Sequence, residues 1–113
     1  MEIMSRQEQK PYYPVREIQT LKEMLTDSSI LYCDRPAFWV KQERGGPYHE
    51  ITYDHLKNDV DALGTAMIER GLQGSKVALI GENCYQWIAA YLAVVNGAGV
   101  AVPACRRCGP ACA

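Results

Sequence analysis

From Ile51 onward the apolar positions fall into a regular order. Leu56, Val60, Leu63, Met67 and Ile68 recur at the three-to-four spacing of one helix face. Thr52 stands where an N-cap side chain can accept from the free N–H groups of the first turn, and Ile51 and Leu56 occupy the two positions of a hydrophobic staple. Asp54 near the start and Arg70 near the end both suit the helix dipole, and Gly71 can close the helix in the left-handed region. Val77-Ala78-Leu79-Ile80 then forms an unbroken apolar run, the pattern of a parallel strand covered on both faces. Asn83, with Gln86 three residues on, has the spacing of a capping box and opens a helix whose stretch from Trp87 to Val95 is apolar nearly all round and therefore predicted to be buried. Asn96-Gly97 ends it, Val100-Ala101-Val102 is a second strand, and Pro103 marks that strand's end. A crossover of this length predicts parallel strands joined by a right-handed connection.

The chain before Ile51 is shorter in its periods. Met1 to Pro14 is polar and punctuated by Pro11-Tyr12-Tyr13-Pro14, which reads as an extended lead-in. Ile18, Leu21, Met24 and Leu25 predict a short amphipathic helix over 16–26, followed by a loop over 27–36. Residues 37–42 and 48–52 flank Glu43-Arg44-Gly45-Gly46-Pro47, so a β-hairpin is expected there. The fold class is thus α/β: helix, hairpin, helix and a βαβ unit, incomplete as a domain because a parallel sheet buried on both faces needs more chain than 113 residues supply.

Composition narrows the partners. A formal net charge of -1 provides no general basic field for nucleic acid or an anionic membrane. No apolar run approaches the roughly 20 residues of a membrane-spanning helix, and the N-terminal stretch lacks a signal-like apolar core, so the cytoplasm is the expected location. Three of the five cysteines, Cys105, Cys108 and Cys112, lie in the last nine residues, leaving Cys33 and Cys84 in the body. Their spacing suits zinc or an iron–sulfur cluster, but a fourth ligand is missing locally. The segment 104–113 uses only Ala, Cys, Arg, Gly and Pro, residue types that GC-rich DNA tends to produce out of frame, and it reads as an incidental tail.

Few residues suggest chemistry. Gly81-Glu82-Asn83 follows a strand and precedes a helix, where anions are often held, yet a phosphate cradle needs more than one glycine and Glu82 would repel the ligand; the loop reads as a cap. Asn96-Gly97-Ala98-Gly99 follows a helix and is no dinucleotide fingerprint. His49 and His55 lack nucleophile partners at catalytic spacing and read as surface or boundary residues, while Asp54, Lys57, Asp61 and Glu69 form a solvated face.

Taken together, Ile51-Thr52-Tyr53, Gly74-x-Lys76-Val77-Ala78, Glu82-Asn83-x-x-x-Trp87 and the run from Ala90 to Pro103 resemble the start of the adenylate-forming, AMP-binding acyl-CoA synthetases, in particular long-chain fatty acid and aryl-CoA ligases. The resemblance covers about Tyr32 to Pro103 and implies the N-terminal portion of that family's large domain. It divides the chain into a lead-in and helix over 1–31, a partial synthetase domain over 32–103 and a tail over 104–113. The family uses ATP and magnesium to turn a carboxylic acid into an acyl-adenylate, then transfers the acyl group to coenzyme A or a carrier thiol. Its Ser/Thr/Gly-rich phosphate loop, its Tyr-Gly-x-Thr-Glu element, its ribose-binding Asp and its late Lys have no matching positions here. The resemblance therefore assigns this chain no catalytic, cofactor-binding or metal residue. The expectation is a truncated synthetase, inactive alone, with the missing remainder of the enzyme as its candidate partner; the alternative is a small cysteine-tailed metal-binding or interaction module.

Overall fold

The computed structural model describes residues 13–104. Its elements run α1 (Leu21–Leu31), β1 (Pro36–Lys41), β2 (Tyr48–Thr52), α2 (Tyr53–Glu69), β3 (Ser75–Ile80), α3 (Tyr85–Ala93), a π-helical turn (Val94–Ala98) and β4 (Gly99–Ala104). β1 and β2 pair antiparallel, with Trp39 opposite Glu50 and an irregularity between Pro36 and Phe38; β3 and β4 pair parallel, with Ser75 opposite Gly99. The α/β architecture of hairpin, helix and parallel βαβ unit is the expected one.

The helix ends show why α2 was legible. Thr52 Oγ1 accepts from the His55 N–H at 3.1 Å. At the other end the Gly71 N–H bonds to the Ile68 carbonyl and the Leu72 N–H to the Met67 carbonyl, with Gly71 at φ 77°. These crossed bonds are a Schellman ending, which satisfies carbonyls that the helix itself leaves free. Leu56 and Val60 are buried, Leu63 and Met67 are half-buried, and Ile68 reaches the surface, so the stripe is buried at its start and emerges at its end.

Five expectations change. The first helix spans Leu21–Leu31, not 16–26, because Thr20 caps it: Thr20 Oγ1 accepts from the Glu23 N–H at 3.1 Å while Glu23 Oε2 accepts from the Gln19 N–H at 3.0 Å. The signal was present as Thr-x-x-Glu, and a reciprocal cap outweighs the periodicity of Ile18. The N-cap of α3 is Cys84, not Asn83, and its side chain makes no capping bond. α3 is buried on one side only: Ala89, Leu92 and Ala93 are enclosed, whereas Trp87 and Tyr91 are half-buried and stack on each other at 5.5 Å. Finally, the β3–β4 ribbon is covered on one face. Leu79 is buried, but Ile80 is 65 % exposed, Val100 54 % and Val102 43 %. Pro103 also lies inside β4, opposite Leu79, instead of ending it.

The core is the meeting of three helices. Leu25 of α1, Leu56 and Val60 of α2, and Ala89, Leu92 and Ala93 of α3 form one buried cluster, with Phe38 of β1 packed against its side. Small residues on α3 let it approach α2 closely, and Val94 at the start of the π turn is fully enclosed. The turn swings the chain into β4 through Gly97 at φ 148°. At Gly99 the two parallel strands approach so closely that a Cβ would stand 2.3 Å from the Ser75 carbonyl oxygen. Because that neighbour is backbone, Gly99→Ala must part the strands. It is expected to lower stability by about 1–3 kcal/mol, the usual range for overpacking, read as a reduced urea midpoint; an unchanged midpoint would show that β3 and β4 do not meet there.

Candidate functional site

The start of α3 faces the hairpin across a cleft of about 730 Å³. Along one wall run Phe38 to Gln42 of the hairpin, with Ile51 behind them; along the other lie Asn83 to Gln86 and Ile88. The apolar floor forms because Phe38 and Val40 turn inward while Trp39 and Lys41 turn out, the alternation of a strand half-covered by a helix. Among the described residues that line the cleft Lys41 alone is charged; its side chain is exposed, with Nζ 4.6 Å from the Tyr48 ring centroid.

Tyr85 joins the two walls. Its ring meets Phe38 edge-on at 5.6 Å, and its hydroxyl donates to Asp59 Oδ2 at 2.6 Å. The same carboxylate oxygen lies 3.3 Å from His55 Nε2 one helical turn earlier. Burial, with added help from the hydrogen bond to Asp59 and the negative charge there, raises the Tyr85 hydroxyl well above the ordinary tyrosine pKa. A phenol held neutral in this way positions α3 on α2; it is not poised to give up a proton at neutral pH.

The sequence-derived candidates are scattered. Gly81, Glu82 and Asn83 are exposed, and Asn83 contributes to the cleft wall without capping the helix. His49 is exposed on β2 opposite Val40; His55 is exposed and turned toward Asp59. Asp54, Asp61 and Glu69 form the solvated face that was expected, with Lys57 and Asp61 paired one turn apart. Cys33 and Cys84 are free thiols, one half-buried and one exposed. Among the described residues no three His, Cys, Asp or Glu side chains converge as metal ligands, while Cys105, Cys108 and Cys112 lie outside the described residues. No described helix is long and apolar enough to cross a membrane. The Tyr85–Asp59 contact escaped the sequence reading because the partners are 26 residues apart and meet only once α3 has docked.

Comparison with known proteins decides the family. Residues 27–111 match the family described as AMP-binding enzyme. The chain belongs to the AMP-binding enzyme family. Among curated relatives, it is 33 % identical over 72 residues to Probable CoA ligase CCL6 of Humulus lupulus, covering 63 % of this chain and 11 % of that protein. It is 35 % identical over 65 residues to Long chain acyl-CoA synthetase 1 of Arabidopsis thaliana, covering 57 % and 10 % respectively. The matched part thus spans about a tenth of those relatives. The fold is similar to the crystal structure of IdnL1 (TM-score 0.69, 24 % identity, 83 % of this chain and 19 % of that one). It is similar also to the Klebsiella oxytoca NpsA N-terminal subdomain (TM-score 0.65, 22 % identity, 81 % and 23 %). Both likenesses support the arrangement of helices, hairpin and parallel ribbon as a fold shared with known structures.

The Tyr85 contact gives a pH-dependent expectation. The folded chain holds the phenol neutral above the ordinary tyrosine pKa, so its contribution is fully present below about pH 10 and is lost as pH rises further. Replacing Tyr85 by Phe is expected to cost about 1 kcal/mol at pH 8, since Asp59 is half-open to water. The parent-minus-variant difference in denaturation free energy should then shrink above about pH 10. A difference independent of pH would remove the Tyr85–Asp59 bond from the account.

Proposed function

We propose that this chain forms the opening portion of the large N-terminal domain of an AMP-forming acyl-CoA synthetase, with residues 32–103 as the domain segment, 1–31 leading into it and 104–113 as a separate tail. The match of residues 27–111 to the AMP-binding family carries the reading. Two curated relatives whose names refer to CoA ligase and acyl-CoA synthetase support the finer assignment. The parent reaction joins a carboxylic acid to AMP with release of pyrophosphate, then exchanges AMP for the thiol of coenzyme A. Fatty acid metabolism and a cytoplasmic site of action belong to the same proposal, and the remainder of the synthetase is the partner that it calls for.

The residues present do not fit ATP, magnesium or coenzyme A. The strand-to-helix loop carries one glycine, Gly81, followed by Glu82, so its backbone cannot wrap a triphosphate and its charge opposes one. Among the described residues no acidic group converges with two other ligating side chains to hold a cation. Adenylation depends on placing the acid and the α-phosphate in line and neutralising the charge that develops, and exposed helix faces supply neither. The chain on its own is therefore an inactive scaffold segment. Incubated with ATP, magnesium, coenzyme A and saturated fatty acids of graded length, it is expected to release no pyrophosphate above a protein-free control and to form no acyl-CoA detectable by mass spectrometry. Thioester formed in proportion to the amount of this chain would overturn the proposed inactivity.

A further inference from the structure

We draw no further inference here: the strongest candidate, the groove between α1, α2 and the π-helical turn lined by Lys22, Lys57, Asp61 and Asn96, carries nothing because Lys57 and Asp61 already pair with each other, the buried Asn96 Oδ1 does not open into it, and nothing in the structure shows what covers it.

Discussion

The close contact between α2 and α3 is the constraint from which the remaining geometry follows. Leu56 and Val60 present branched side chains, and Ala89 and Ala93 present almost none, so the helices approach until Leu92 fills the space that remains. The depth of that seam fixes where α3 begins, which brings Tyr85 within reach of Asp59 and against Phe38. It also fixes where α3 ends, which is why the chain needs a π turn and Gly97 to redirect itself into β4. Hairpin and parallel ribbon are thereby attached to one helical seam, although they pair with each other nowhere.

Most of the fold was legible wherever two local signals agreed. Thr52 with its staple residues marked the start of α2, and Gly71 marked its end. The Gly-Gly-Pro turn placed the hairpin, and the unbroken run at Val77 placed β3. The errors arose where signals competed. At the first helix, apolar spacing from Ile18 suggested an early start, while the reciprocal Thr20 and Glu23 cap set the later one. At α3, Asn83 and Gln86 had the right spelling for a capping box, but the loop delivers Cys84 to the cap position. Composition cannot say how much surrounding structure exists, so an apolar run expected to be covered on both faces emerges with Ile80 and Val102 in water.

The site was far less legible. Chemistry at a distance depends on which surfaces meet, and the two cleft walls are separated by about forty residues of sequence, from Gln42 to Asn83. No local spacing announces that a strand edge will face a helix start. The same holds for Asp59, whose role is set by Tyr85 and not by the charges beside it on α2. The family resemblance was readable because it rests on local words, Ile51-Thr52-Tyr53 and the Val77 strand among them, and the match over residues 27–111 covers those words.

The pairing of Ser75 with Gly99 also has a consequence for how the chain assembles. Partners in this ribbon are 24 residues apart, 99 minus 75, so its closure joins a short loop. Loop-closure entropy grows only slowly with length but favours such near neighbours, and local contacts form fast. During synthesis the seam and the ribbon can therefore form as soon as β4 has left the ribosome, without waiting for any later segment.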